Sequence, residues 1–344
     1  MTLHAARSTA APSALVAEVR VDAVERLSPA FVRVTFGGEG LRDLSTADGF
    51  DTRFKVVFPG PTGLLPRHSE VPQEWQAAWL GMPDEERSPM RTYTIREIRS
   101  SGDSVQLVAD FVVHEPAPTP RSADAGGPPD HAGLGPACRW ALAARPGDVV
   151  HIVGPHRRSP IYGGTEFDPG DLRDLLVIGD ETALPAVARI LADVDPGFTG
   201  HVFVEVPSSD DIVELPRHHL IDVTWLVRGA APQGRRLVSA VRSHLGLPRA
   251  DLDRPLPEVR SDLDVEVWET ARYSSAGEDL TMVPVVERGG GRLAAPDLAD
   301  TYAWIAGESW LVKALRRALV SELGVERSQV AFMGYWREGV AMRS

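Results

Sequence analysis

A single cysteine, Cys138, stands in a chain of 344 residues. An intrachain disulfide is therefore impossible, and so is a metal site built on several thiolates. The ten histidines are scattered apart from the pair His218 and His219, and none falls in the HExxH spacing of a zinc hydrolase. No apolar run approaches the roughly 18–20 residues that cross a bilayer. The Ala-rich start is interrupted by Pro12 and Ser13, which makes a poor secretory core. A cytoplasmic protein with a frayed N-terminus is the expectation. Positive charge is also short: 36 Lys and Arg face 48 Asp and Glu, a formal net charge of −12. That balance argues against an extended nucleic-acid surface, because neutralising phosphates takes concentrated Lys and Arg. It leaves room for a local basic pocket that receives an anionic ligand. The GxGxxG fingerprint of the ordinary dehydrogenase is missing too.

What is present is a folded chain, 43% apolar and 24% charged, too long for one typical core. Two domains are expected, residues 14–165 and 170–344. In the first, residues 15–24, 31–36, 54–58, 91–98, 105–114 and 148–153 carry period-two or short β-branched patterns separated by Gly, Pro and Asp. Six strands with little helix, apart from a short candidate near 73–80, predict an antiparallel β-barrel. The second domain changes period. The apolar run 174–178 suits a strand buried on both faces, and residues 184–194 have helical spacing. Strands at 201–206, 222–227, 301–306 and 330–336 alternate with helices at 236–245 and 310–323. This alternation predicts a Rossmann-like parallel α/β sheet covered on both sides. Residues 116–135 read as a surface loop. The acidic insertion 247–300, with a strand-like 281–287, is either disordered or a small hairpin lid.

Four stretches could carry chemistry. Residues 90–96 read Met-Arg-Thr-Tyr-Thr-Ile-Arg. As a strand they place Arg91, Tyr93 and Ile95 on one side and Thr92, Thr94 and Arg96 on the other. An arginine for a phosphate, an aromatic for a ring system and a hydroxyl for a ring nitrogen suit a flavin, although an ordinary half-buried strand would look the same. Gly179, Asp180 and Thr182 precede Pro185 in a well-formed helix start, whose free amides attract anions. Small residues from Gly135 to Cys138 open another helical stretch and allow close backbone approach; nothing adjacent marks Cys138 as reactive. Tyr335, Trp336 and Arg337 end the final strand, beyond which open α/β sheets bind ligands.

Taken in order, residues 91–96, 110–114 with 135–140, 179–185, and 302–308 with 334–337 resemble the siderophore-interacting protein family, flavin-dependent ferric-siderophore reductases of the ferredoxin-reductase-like superfamily. The resemblance spans residues 19 to 339 or so and implies an N-terminal FAD-binding barrel followed by an NAD(P)H-binding α/β domain. Carried over by position, it makes Arg91 a contact of the FAD diphosphate, with Thr92 beside it. Tyr93 would pack on the isoalloxazine and Thr94 bond near its reactive nitrogen. These two and Trp336 would stand at the reacting ring. Asp110, Val112 and His114 match a D-x-V-x-H strand that touches the ribityl and adenosine parts, and Ala137 and Cys138 face the diphosphate. Asp180, Glu181 and Thr182 match a turn that closes over the flavin. Trp304, Gly307 and Glu308 resemble the nicotinamide-domain motif, and Tyr335 and Trp336 match its terminal aromatic pair.

A monomer is the expectation, and the same resemblance implies binding of a ferric siderophore through basic residues at the flavin edge. Lys55 holds the matching barrel position. Gly154-Pro155-His156-Arg157-Arg158 stands where relatives read Gly-Pro-Arg-Gly, leaving His156, Arg157 or Arg158 to supply the basic contact. NADH or NADPH would be the donor, with Arg228 and Lys313 as alternative partners for an NADPH phosphate. Two other readings stay open: a flavin-dependent reductase of quinones, free flavin or ferredoxin, and a non-enzymatic carrier or sensor of a ferric chelate or flavin.

Overall fold

The structure, a computed structural model, describes residues 13–47, 49–102, 104–113, 134–159, 164–248, 268–270, 273–274 and 298–338. His114, the loop 116–133 and most of the insertion 247–300, including 281–287, lie outside the described residues.

Period-two alternation in the first half produces a curled antiparallel sheet. Its strands are β1 (Leu15–Ser28), β2 (Phe31–Gly37), β3 (Arg53–Val57), β4 (Met90–Thr94), β5 (Glu97–Ser101), β6 (Ser104–Val112) and β7 (Val149–Gly154). They are ordered β4-β3-β7-β1-β2-β6-β5. One face of each strand turns inward, giving a core of Val19 and Val21, Val34 and Phe36, Phe54 and Val56, Leu107, Ala109 and Phe111, and Val150 and Ile152. Six strands were expected and seven are found among the described residues, because residues 91–98 change partner midway. The Ile95 amide donates to Thr52 O (2.8 Å) and the Arg96 amide to Val108 O (2.9 Å). The chain thus leaves one edge of the sheet and joins the other, which is what curls it into a half-barrel. Helix α1 (Pro72–Leu80) lies outside with Trp75 and Trp79 buried, and α2 (Pro136–Ala143) inserts Ala137 and Ala141 into the barrel core.

The second half alternates as its periodicity predicts: β8 (Asp174–Gly179), α3 (Leu184–Asp193), β9 (Thr199–Val206), β10 (Ile221–Val227), α4 (Arg235–His244), β11 (Trp268–Thr270), β12 (Tyr273–Ser274), β13 (Thr301–Glu308), α5 (Ser309–Arg316) and β14 (Val330–Trp336). The order is β10-β9-β8-β13-β14-β11-β12. The first five are mutually parallel, and β11 pairs antiparallel with β14. The described pieces of the insertion therefore extend the sheet edge. The helix expected over 310–323 is α-helical only to Arg316 and continues as a π-helical stretch, Arg317–Leu323. All of β13 is buried, as befits a central strand with helices on both faces.

The two sheets share a core. Ala30, Phe31 and Phe167 pack with the α3 side of the parallel sheet. Three carboxylates tie the halves together. Asp211 accepts from Ser28 Oγ and Ala30 N (both 2.7 Å), Asp193 from Phe50 N (2.8 Å), and Asp51 from Trp304 Nε1 (3.0 Å).

Candidate functional site

Strand alternation sorts β4 as its sequence requires. Tyr93 turns onto the barrel core, its ring centroid 4.2 Å from that of Phe111, while Thr92 is exposed on the other face and Thr94 is buried. Burial raises the Tyr93 phenol far above its ordinary range, with the Cys138 thiol adding to this and Arg91 opposing it. Arg91 is half-buried, and its Nη1 donates to Met90 O (2.7 Å). Cys138 lies in the first turn of α2, its Sγ 3.5 Å from Val112 O. Arg91, Tyr93, Val112, Ala137 and Cys138 thus form one cluster on the flank of the barrel between β4 and β6.

The residues here suit a diphosphate. Helix α2 begins with Gly135 and Pro136, and its N-cap residue Gly135 has no side chain to cap the first turn. A Cβ placed on Gly135 meets nothing within 4 Å, so the approach to that turn is open. Free amides at a helix start, together with a guanidinium, make a matched anion cradle. These are the residues that would hold the FAD diphosphate.

Asp110 is placed differently. Its carboxylate receives Arg33 Nε (2.7 Å) and Nη2 (2.8 Å), with Arg96 Nε at 3.8 Å. It faces a cavity of 450 Å³ between the barrel and α3, whose lining includes Arg33, Arg96, Leu184 and Pro185. Both of its oxygens are already engaged by the chain.

The basic residues divide. Lys55 is exposed beside Thr92, with Nζ 3.5 Å from its hydroxyl, and lies opposite Val153. Arg157 and Arg158 are exposed, Arg157 pairing with Asp43 at 2.6 Å. His156 is only 6% exposed. It bridges to Leu44, its Nδ1 accepts from Arg158 N (3.0 Å), and burial lowers its pKa. The imidazole is a neutral structural group inside the loop, and the two exposed arginines carry its charge.

A second cluster sits at the carboxyl ends of the parallel strands. Asp180 is fully buried, and Thr182 is half-buried with its amide and hydroxyl on Asp180 Oδ1. Asp180 Oδ2 accepts from Trp336 Nε1 (3.0 Å) and Glu308 N (2.8 Å). Burial, then the neighbouring Glu181, push the Asp180 carboxyl up to about 7 against these hydrogen bonds. A buried side chain so occupied faces the protein rather than a cofactor. Trp336 is half-buried, and Tyr335 meets Trp304 edge-on at 6.5 Å.

Glu205 and Asp51 escaped the sequence reading. Buried Glu205 accepts from Gly234 N (2.8 Å) and Leu237 N (3.3 Å), capping α4. Arg228 binds Glu181 in bidentate fashion (2.9 Å each) and Glu205 at 3.3 Å. Its guanidinium is thereby committed within the protein, while Lys313 is exposed on α5. The signal for Glu205 was an acid inside the apolar run Val-Phe-Val-Glu-Val, where both strand faces are buried. Asp51 had no comparable signal.

A curled antiparallel sheet followed by a parallel α/β unit defines a two-domain protein. Residues 20–159 match the siderophore-interacting FAD-binding domain, and residues 172–339 match the siderophore-interacting protein model. The chain belongs to the siderophore-interacting protein family. It is 24% identical over 314 residues to the ferric vibriobactin reductase ViuB of Vibrio cholerae, covering 91% of this chain and 86% of that one. The NADPH-dependent ferric-chelate reductase of Escherichia coli is 31% identical over 176 residues, which is 51% of this chain and 55% of that one. The crystal structure of a siderophore utilization protein from T. fusca superposes with a TM-score of 0.62 at 24% identity, covering 97% of each chain.

Proposed function

We propose that this protein reduces ferric siderophores, using electrons from NAD(P)H passed through bound FAD. The observation that carries this reading is the place of Tyr93, which shares its strand face with Arg91 and neighbours Cys138 at the glycine-led start of α2. Relatives named as ferric-chelate and ferric vibriobactin reductases support it. Arg91 and the α2 amides hold the diphosphate, Tyr93 supports the ring, and Thr94 offers its hydroxyl beside it. The flavin, when bound, supplies the conversion of a two-electron hydride donor into one-electron reduction of ferric iron. Lys55, Arg157 and Arg158 draw the anionic chelate to the barrel face by charge.

The test is an absorbance spectrum of the purified protein titrated with FAD, then with NADH or NADPH without oxygen, then with ferric siderophore. Uptake of FAD, bleaching of its visible bands and their return on adding the ferric chelate are expected. Failure at any of the three steps overturns the proposal.

Lys55→Ala probes the chelate contact. An exposed charge is worth under about 1 kcal/mol, so KM for the ferric siderophore should rise about two- to fivefold. The KM should also become less sensitive to added salt, because one screened attraction is gone. FAD affinity should hold. A parallel loss of FAD would make Lys55 a support of the fold.

A further inference from the structure

Trp336 ends β14, two strands away from Asp180 at the end of β8, yet the two are hydrogen-bonded. The strand between them is β13, and the carboxylate reaches across it over Gly307. That glycine has φ 143°, and a Cβ there would lie 2.6 Å from Asp180 Oδ2. Only a residue without a side chain leaves the path clear. A bulge aligns the far end: Gly307 lies opposite Gly334 but Glu308 opposite Trp336, so Tyr335 is the extra residue. Such an insertion re-aims the side chains around it. Tyr335 turns edge-on to Trp304, and the Trp336 indole turns its N–H to Asp180.

The geometry points to Asp180 as a positioning residue that acts through Trp336. It fixes where the last aromatic ring stands above the strand ends that receive the nicotinamide. This rests on the proposed function, because ligands of open α/β sheets bind beyond those ends. The same carboxylate joins four elements: the turn before α3 through Thr182, the turn before α5 through Glu308 N, the start of α4 through Gln233 Nε2 (3.4 Å), and the end of β14. The other ionisable groups around it are Glu181 and Glu205, both held by Arg228, Glu308, whose carboxylate caps α5, and Tyr335. With its carboxyl pushed up to about 7, Asp180 changes charge near neutrality. A carboxylate accepts an indole N–H more strongly than a carboxylic acid does. The hold on Trp336 therefore slackens as pH falls through that value.

The experiment uses the full chain and the variants Asp180→Asn, Trp336→Phe and their combination. The contribution of Trp336 to tryptophan emission, taken as wild type minus Trp336→Phe, should titrate with a midpoint near 7. It should be flat in Asp180→Asn. In NAD(P)H reduction of the flavoprotein, each single variant should lower kcat/KM about tenfold. The double variant should be no worse than the poorer single, since both remove one contact. Should Asp180→Asn not fold, Trp336→Phe alone decides: it should abolish the break near neutrality in the pH profile of kcat/KM. Losses that multiply, or a break that survives Trp336→Phe, overturn the assignment. The emission titration needs no reduced nicotinamide. A protein that shows the midpoint but reduces no ferric chelate would therefore lose the proposed function while keeping this contact.

Discussion

Arg91→Ala should yield a protein that no longer retains FAD through purification. Half-buried Arg91 shares its strand face with Tyr93, whose ring neighbours Cys138 in the first turn of α2. A hydrogen bond to a charged group contributes about 1.5–3 kcal/mol, so removing one of the strongest donors should weaken FAD binding roughly 10- to 100-fold. Titration of the apoprotein, followed by quenching of flavin fluorescence, reads this directly. Arg91→Lys should recover only part of the loss, because an ammonium keeps the charge but not the planar fork that matches two phosphate oxygens. Tyr93 packs on Phe111 independently of Arg91, so thermal stability of the apoprotein should change little. An affinity for FAD close to that of the wild type would remove Arg91 from the diphosphate site and would leave α2 alone to explain it.

Much of the architecture was legible because it depends on side-chain periodicity. Val19 and Val21, or Leu107, Ala109 and Phe111, declare an inward face by spacing alone, and the short run 174–178 declares a strand buried on both sides. What periodicity does not encode is the partner of a backbone amide. The switch at Ile95 and Arg96 from one sheet edge to the other is such a case, and it turned six expected strands into seven. The proposed site follows the same rule: strand alternation puts Arg91 and Tyr93 on one face of β4, and the start of α2 puts Cys138 near the Tyr93 ring. Asp180, Asp110, Arg228 and His156 look like ligand contacts in one dimension, yet each is engaged by the protein itself. Asp180 reaches Trp336, Asp110 reaches Arg33 and Arg228 reaches Glu181, all far along the chain, whereas the partner of His156 is the nearby Arg158 amide. Nothing in the sequence alone says that Gly307 is a passage for another strand's carboxylate.

Asp51→Ala should cause the largest loss of stability. The carboxylate is fully buried and accepts three N–H groups: Glu166 N (3.0 Å), Phe167 N (2.9 Å) and Trp304 Nε1 (3.0 Å). Trp304 belongs to the central strand of the parallel sheet, and Asp51 precedes β3 of the barrel, so one side chain registers the two halves. Truncation strands three buried donors at about 1–3 kcal/mol each, partly relieved by water entering the space. The expected net loss is on the order of 4 kcal/mol, or about 10 °C in Tm. Burial raises the Asp51 pKa above the ordinary carboxylate value; the hydrogen bonds from Phe167 N, Trp304 Nε1 and Glu166 N and the nearby charge of Arg53 offset only part of that. A group raised on folding gives a stability component that is complete below the unfolded pKa and lost as pH rises through the folded one. The Tm gap between wild type and Asp51→Ala should therefore be widest in acid and narrow as pH rises. Calorimetry at several pH values checks both size and slope. A gap that widens with pH would mean that Asp51 works as an ionised acceptor, with its hydrogen bonds outweighing burial. A shift of only a degree or two would mean that the shared core around Phe31 and Phe167 joins the domains without it.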